Sequence, residues 1–151
     1  MSVRYCEPVS LLETTLVAAR WQVHVSIREE SDVVIARKRA REFALVESLS
    51  KCAIEALVTA TSEIAQNVVI HARAGELYLR AVAKTRGRGV VVVVHDEGPG
   101  ILDLEQALQD GFSTGIGLGL GLSSAKRLMD EFELVSTVGV GTTVVMTKWA
   151  R

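Results

Sequence analysis

The chain has 151 residues, of which 48% are hydrophobic and 23% charged, and this fits one soluble domain with a sizeable core. Its net charge of −1 at pH 7 argues against general electrostatic binding to nucleic acid or an anionic membrane. Cys6 and Cys52 stand far apart, so neither a disulfide framework nor a zinc site is indicated. Neither a signal-peptide core nor an apolar run of about 20 residues is present, and we expect a cytoplasmic protein.

Residues 1–20 are expected to form an N-terminal extension, and residues 21–151 a single domain. In the extension, Ser10 is a candidate N-cap for a helical pattern of Leu11, Leu12, Thr15, Leu16 and Ala19. Residues 21–27 alternate between apolar and polar side chains, which predicts an edge strand with one buried face.

A helix is predicted to begin near Ser31 or Asp32, either of which can cap it, and to continue to about residue 47. Its apolar side is expected to consist of Val33, Ile35, Ala36, Ala40, Phe43, Ala44 and Val46. The same helix carries Arg37, Lys38, Arg39 and Arg41. Two interpretations of these cations stay open, namely a solvated face and a docking site for an acidic patch on a partner.

A second, long helix is predicted over residues 51–71, with a core stripe formed by Ile54, Leu57, Val58, Thr61, Ala65 and Val68. Glu63 and Asn67 stand roughly opposite this stripe, because a helix turns by 100° per residue. Their neighbours on that side are Ala56, Ala60 and Ile70 instead of charged residues. Since an unpartnered buried carboxylate is costly, a polar ligand or partner is expected to meet them. An exposed glutamate followed by a helix-end asparagine is the alternative.

The rest of the chain predicts strands joined by short turns. Residues 76–83 alternate, residues 86–89 form a hairpin loop, and five valines at 90–94 predict a fully buried strand. A short helix at 103–109, a polar loop at 110–114 and a helix at 122–132 precede strands at 133–137 and 142–149, with a turn between those strands. The order predicts an α+β two-layer sandwich, with a mixed, mostly antiparallel sheet and helices on one face.

Two glycine-rich segments predict a nucleotide-binding loop. The first is Asp96-x-Gly98-x-Gly100, directly after the valine strand, and the second spaces Gly115, Gly117, Gly119 and Gly121 before a helix. Glycines let the backbone approach a ligand, and a helix start favours anions. No glycine is followed by lysine, which excludes a Walker A loop, and the G-x-G-x-G spacing differs from the dinucleotide fingerprint.

The ordered set of Glu63-x-x-x-Asn67, Asp96-x-Gly98-x-Gly100, Gly117–Gly121 and Gly141-Thr142 resembles the GHKL (Bergerat-fold) ATPase superfamily, from about residue 21 to the C-terminus. Within it, the 96–101 segment, the short 110–114 loop, residues 126–132 and the ending at 148–151 are similar to RsbT-type serine/threonine kinases of bacterial stressosomes.

The resemblance implies a role for each matching residue. Glu63 is then the general base, and Asn67 binds Mg²⁺ and ATP. Asp96 accepts a hydrogen bond from the adenine amino group, with support from Thr142. The other implied ATP-binding residues are Gly98, Gly100, Ile101, Ser113, Thr114, Gly115, Gly117, Leu118, Gly119, Leu120, Gly121 and Leu122. His71 follows Asn67 by one turn; an approach to the phosphates and a helix-end histidine without a nucleotide role both stay open.

The resemblance also implies the partners. These are STAS-domain antagonist and scaffold proteins as substrates, and an output enzyme such as a PP2C-type phosphatase that the released chain activates. An anti-sigma factor serine kinase that sequesters a sigma factor is the alternative. No Lys or Arg occurs from Glu97 to Ala125, so we expect weak nucleotide affinity or slow turnover, with the γ-phosphate met by Mg²⁺, backbone dipoles, Lys126 or a partner's residue.

Overall fold

The computed structural model describes residues 2–5, 21–85, 87–109 and 119–151. Its strands are β1 (Ser2–Tyr5), β2 (Val23–Ile27), β3 (Gly75–Lys84), β4 (Gly87–Asp96), β5 (Glu131–Thr137) and β6 (Gly141–Trp149). Its helices are α1 (Glu30–Val46), α2 (Lys51–Asn67), α3 (Leu104–Ala107) and α4 (Gly119–Leu128), and a π-turn, Val68–Ala72, follows α2. The helical pattern predicted after Ser10 and the polar loop predicted at 110–114 lie outside the described residues.

The six strands form one sheet in the order β1-β5-β6-β4-β3-β2, and all neighbouring strands are antiparallel. Residues of α1, α2 and α4 pack with one face of this sheet into a continuous apolar core. The predicted α+β two-layer sandwich is therefore confirmed, with a described sheet that is antiparallel instead of mixed. None of the described helices combines the length and apolar character needed to cross a membrane.

The valine strand lies in the interior of the sheet, as predicted. Val90, Val92 and Val94 belong to the helix-side core, whereas Val91 and Val93 pack with Val145 in a smaller cluster of their own. Because successive side chains of a strand point to opposite faces, a strand that is apolar at every position can be buried on both. This strand brings Asp96, its last residue, to the end of the sheet.

Helices α1 and α2 form an antiparallel pair. Gln66 near the end of α2 donates to the carboxylate of Glu30 at the start of α1, and Arg41 of α1 binds Glu55 of α2 through two hydrogen bonds of 2.6 and 3.1 Å. The N-cap of α1 is Glu29, whose N–H donates to Asp32 at 3.1 Å. Neither Ser31 nor Asp32 is thus the cap, and Asp32 acts from inside the first turn.

The prediction that Ile35 and Val46 belong to the core side of α1 is wrong. Ile35 and Val46 are exposed, whereas the buried positions of the helix are Val33, Ala36, Ala40 and Ala44. The core stripe predicted for α2 is confirmed, because all six of its members are buried. The edge strand predicted at 21–27 is confirmed as β2, which alternates buried and exposed residues at one border of the sheet.

Three predicted element boundaries change. The α-helix of α2 ends at Asn67, and the π-turn takes the chain to Arg73, which has φ 70°. Helix α4 ends at Leu128 instead of residue 132, because Asp130 donates its N–H to Thr147 and the chain enters β5 at Glu131. The hairpin is tighter than predicted, since β4 already begins at Gly87.

Candidate active site

A cavity of about 410 Å³ opens between the end of α2, the end of β4, the loop after β4 and the first turns of α3 and α4. Six residues predicted from the sequence line it: Asn67, Asp96, Gly100, Ile101, Leu122 and Thr142. The structure therefore brings together segments that lie up to 75 positions apart in the chain. The described lining contains no Lys or Arg.

Asp96 lies at one end of the cavity, half-buried at the end of β4. One of its carboxylate oxygens, Oδ1, accepts a hydrogen bond from the N–H of Gly98 at 2.8 Å. This bond fixes the carboxylate in place and leaves Oδ2 to accept a bond from a ligand. Strand pairing sets Thr142 of β6 directly across from Asp96, as the predicted pair of base-binding residues requires.

The loop after Asp96 is held close to its neighbours. A β-carbon at Gly98 would lie 2.7 Å from the β-carbon of Ala72, and one at Gly100 would lie 2.5 Å from the carbonyl oxygen of Thr137. Gly100 also has φ +75°, which side chains other than glycine rarely adopt. In addition, Gly139 donates its N–H to Pro99 at 2.9 Å. Gly98 and Gly100 are therefore required by the packing of the loop itself.

Sequence reasoning missed Ser136, which ties the loop to the sheet. Its hydroxyl oxygen accepts the N–H of Ile101 at 2.8 Å and lies 2.9 Å from the hydroxyl of Thr142 and 3.3 Å from the carbonyl of Gly141. Ser136 is only 1% exposed. No pattern in the sequence identifies it, because the register that places it opposite Thr142 depends on the β5–β6 pairing.

Asn67 lies at the other end of the cavity. Glu63, one turn earlier on the side of α2 that faces α4, is not one of the residues that line it. A β-carbon at Gly121 would lie 2.9 Å from Glu63 Oε2 and 3.6 Å from Asn67 Oδ1. Asn67 Oδ1 is buried and has no hydrogen-bond partner among the residues that the structure describes. Such an acceptor is costly unless something binds it, which makes it a candidate ligand-binding atom.

The sheltered side predicted for Glu63 and Asn67 is explained by the packing of α4. Ala56 and Ala60 precede them on α2, and Ala60 is fully buried. Small side chains on α2 and the glycine at 121 let the two helices approach closely. The alternative of a simply exposed glutamate is not supported, because Glu63 is only partly exposed.

The remaining predicted residues differ in what can be said of them. The backbone of Gly119 and Leu120 forms the first turn of α4, and His71 lines the cavity from the π-turn. Five predicted residues, Ser113, Thr114, Gly115, Gly117 and Leu118, lie outside the described part of the chain. Several lining residues were not predicted, among them Val94, Leu102, Gln106, Ala107 and Val144.

The arrangement suits a nucleotide. One end offers a carboxylate acceptor for a base, the other end offers Asn67 Oδ1 near Gly121 of α4, and most of the remaining lining residues are apolar. Asn67 Oδ1 is the kind of hard, neutral oxygen that Mg²⁺ accepts from a protein. Within the described residues, no three His, Cys, Asp or Glu side chains form a metal-binding group, so any cation here depends on few protein ligands.

Comparison with known proteins agrees with this geometry. Residues 16–148 match the histidine kinase-like ATPase domain family. The serine/threonine-protein kinase RsbT of Bacillus subtilis (strain 168) is 40% identical over 127 residues, which cover 84% of this chain and 96% of that protein. The anti-sigma F factor of Thermoanaerobacter sp. (strain X514) is 38% identical over 95 residues, or 60% of this chain and 66% of that protein.

Solved structures share the fold. The RsbU and RsbW domains of a Mycobacterium tuberculosis protein match 84% of this chain with a TM-score of 0.57 and 20% identity, and this chain spans 32% of that structure. The nucleotide-free catalytic domain of the histidine kinase ThkA matches 85% of this chain and 97% of its own length, with a TM-score of 0.52 and 13% identity. The chain therefore belongs to the histidine kinase-like ATPase family, as an RsbT-type member of it.

Proposed function

We propose that the chain is an ATP- and Mg²⁺-dependent protein kinase that phosphorylates a serine or threonine of a STAS-domain antagonist or scaffold protein. Once released from that protein, it activates an output enzyme such as a PP2C-type phosphatase. The observation that carries the proposal is the cavity with Asp96 at one end and Asn67 at the other, with Glu63 one helical turn before Asn67. The 40% identity to RsbT, named a serine/threonine-protein kinase, supports the same reaction.

At the base end, Asp96 Oδ2 accepts a hydrogen bond from the amino group of adenine, while Gly98 holds Oδ1. Thr142 supports this contact, and Ser136 fixes the hydroxyl of Thr142. A guanine would present a carbonyl oxygen to Asp96 instead of an amino group, and two acceptors cannot bond to each other. The proposed cofactor specificity is therefore for adenine.

At the phosphate end, Asn67 would hold Mg²⁺ through Oδ1, which is buried and finds no partner in the described part of the chain. A bound Mg²⁺ neutralises charge on the phosphates. Glu63 takes the proton from the substrate hydroxyl. The hydroxyl oxygen then bonds to the γ-phosphorus as the bond to the β–γ bridging oxygen breaks, and ADP leaves.

The absence of cations in the described lining has a consequence for the isolated chain. Arg and Lys usually supply a large part of the charge stabilisation in phosphoryl transfer. We therefore propose weak ATP binding or slow turnover by the chain alone. Submicromolar ATP affinity of the isolated protein would contradict this.

Transfer of label from ATP to a STAS-domain protein tests the proposed activity. We expect Glu63→Gln to lower the transfer rate by about 10²- to 10⁴-fold, the usual contribution of a general base. Glu55→Gln is the matched control, because Glu55 lies on the same helix and faces Arg41. Unchanged transfer by Glu63→Gln would remove the general-base role. A Glu63→Ala chain that still activates the output enzyme, yet is not released from its inhibitor, would separate the switch from the kinase.

Anti-sigma factor activity is the second candidate. It is favoured by several relatives named anti-sigma F factor, the first of which is 38% identical over 95 residues. A stable complex with a purified sigma factor, formed in the presence of ADP, would support it. Formation of a complex with a STAS-domain protein and none with a sigma factor would favour the stressosome switch. In either case we propose that the chain acts in the cytoplasm.

A further inference from the structure

The outward side of α1 carries large apolar side chains that the fold does not bury. Val34 is 62% exposed, Ile35 49%, Leu45 59% and Val46 75%. They occupy both ends of the helix, about 16 Å apart at 1.5 Å per residue. Exposed apolar residues grouped on one element are typical of an interaction site. Two of them, Ile35 and Val46, are the residues that the helical pattern placed in the core.

The middle of the same side carries two cations, Lys38 and Arg39, and one exposed acid, Glu42. Arg41 does not contribute to this charge, because it donates two hydrogen bonds to Glu55 of α2. Lys38 lies 4.0 Å from Glu42, which is a weak, exposed pair. Arg39 has no hydrogen bond or ion pair within the described part of the chain. We call Val34, Ile35, Lys38, Arg39, Leu45 and Val46 the α1 face.

The α1 face fits a protein surface better than a membrane or nucleic acid. Two weakly engaged cations supply little attraction to an anionic lipid surface, because each contributes about 1 kcal/mol there, and the more continuous apolar side of the helix is used by the core. An acidic cluster flanked by apolar side chains complements it in both charge and polarity. Such a surface would place an acidic group beside Arg39 and apolar side chains beside Val34 and Val46.

The position of the α1 face relates it to the proposed reaction. Glu30 at the start of α1 binds Gln66 near the end of α2, so Val34 and Ile35 lie at the same end of the helix pair as Glu63. A protein lying along α1 thus reaches the end of α2 that carries the proposed base. We infer that the α1 face docks an acidic surface of the phosphate-accepting protein, an inference that rests on the proposed kinase function.

The test compares docking variants with matched controls, using a purified STAS-domain protein as the probe. The docking variants are Arg39→Glu and the double change Ile35→Ser with Val46→Ser. Lys84→Glu and Val140→Ser are the controls, because both residues are exposed and neither belongs to α1. We expect the docking variants to raise KM for the STAS-domain protein at least tenfold, with kcat and ADP affinity unchanged. The controls should leave all three values unchanged.

The outcomes separate the docking inference from the kinase proposal. If the wild-type chain phosphorylates the STAS-domain protein and the docking variants do so with unchanged KM, the kinase proposal stands and the α1 face is not the docking site. If the wild-type chain neither binds nor phosphorylates it, both fail. A charge swap tests for a direct contact. If an acidic residue of the STAS-domain protein is changed to lysine and the KM of the Arg39→Glu variant returns to the wild-type value, a direct contact with residue 39 is supported. Binding of the wild-type chain to phosphatidylglycerol vesicles that is lost in Ile35→Ser/Val46→Ser would overturn the inference in favour of a membrane.

Discussion

The two ends of the cavity are built differently. At the base end the polar groups are already hydrogen-bonded to each other. The Asp96 carboxylate accepts the N–H of Gly98, and the Ser136 hydroxyl bonds both the N–H of Ile101 and the hydroxyl of Thr142. At the phosphate end Asn67 Oδ1 is buried without a partner among the described residues, and the Glu63 carboxylate lies close to Gly121 of α4. The base end is thus complete before any ligand binds, whereas the phosphate end needs one to satisfy it.

This difference has a physical consequence for binding. A preformed acceptor costs little reorganisation, so the base end can select the nucleotide at low free-energy cost. The phosphate end instead stores an unsatisfied acceptor, whose penalty is relieved when a ligand binds. Nucleotide identity and the chemical step would then depend on separate residues. A substitution at one end should therefore leave the contribution of the other end unchanged.

Asp96→Ala should have the largest effect on nucleotide affinity. It removes a hydrogen bond to a charged acceptor, worth about 2–3 kcal/mol, and thus weakens ADP binding by about 100-fold. The Gly98 N–H also loses its partner. Calorimetric titration with ADP measures the affinity, and Glu55→Gln, at an exposed residue of α2 that faces Arg41, is the control. A loss of less than threefold would show that Asp96 does not bind the base.

The two ends also differ in how far the sequence predicts them. Glu63 and Asn67 were found because helical periodicity fixes which side of α2 they share, and Asp96 because it ends a buried strand. Ser136 was not found, since its partners Ile101 and Thr142 meet it only through strand pairing and loop packing. Helical periodicity likewise does not predict that Ile35 and Val46 face solvent, because which positions of a helix are buried depends on the elements that pack against it.

Asn67→Ala should separate stability from binding. Removal of a buried, unpaired acceptor costs the free protein little, and we expect its free energy of unfolding to change by less than about 1 kcal/mol. The gain in ADP affinity that Mg²⁺ provides to the wild-type chain should disappear, an effect of about 2 kcal/mol for a hydrogen-bonded or ligated charge. Binding of ADP without Mg²⁺ should be unchanged. A variant that still shows the full Mg²⁺ effect would assign the cation to other ligands.

Asp130 provides a reference outside both ends of the cavity. Burial opposes ionisation of its carboxyl, but the N–H of Trp149 together with Lys148 and Arg151 outweighs this and holds the pKa of Asp130 below its usual value. Its stabilisation is therefore fully present above the unfolded-state pKa of about 4 and is lost as pH falls through the lower folded-state pKa.

We expect Asp130→Asn to lower the free energy of unfolding by about 1–2 kcal/mol at pH 7, since it weakens hydrogen bonds to a charged group. The difference from wild type should shrink as pH falls below about 4. Urea unfolding at pH 7 and pH 3 measures it. ADP affinity should stay unchanged, and a coupled loss of affinity would mean that the two ends are not independent of the rest of the fold.

Gly121→Ala, at the phosphate end, should lower activity without lowering the stability of the fold. Alanine favours a helix over glycine by up to about 1 kcal/mol, and the added methyl group would meet the flexible end of Glu63 at 2.9 Å. The chain should therefore unfold at the same or a higher temperature, while phosphate transfer falls by about tenfold because Glu63 is displaced. Ser124→Ala, on the same helix, is the control and should keep full activity. Equal activity of Gly121→Ala would show that Glu63 tolerates a different position.

Ser136→Ala should have the smallest effect, and it tests whether the base end is truly preformed. The change leaves the N–H of Ile101 and the hydroxyl of Thr142 without their shared partner, which costs about 1 kcal/mol of stability for a neutral hydrogen bond. ADP affinity should fall by about threefold to fivefold, whereas the Mg²⁺ dependence contributed by Asn67 should stay the same. Thr142→Val should weaken binding by a similar factor, and the double variant by little more, because both act through one hydrogen-bonded group. Fully additive losses would mean that Ser136 and Thr142 contact the nucleotide independently, and the base end would then be assembled by the ligand much as the phosphate end is.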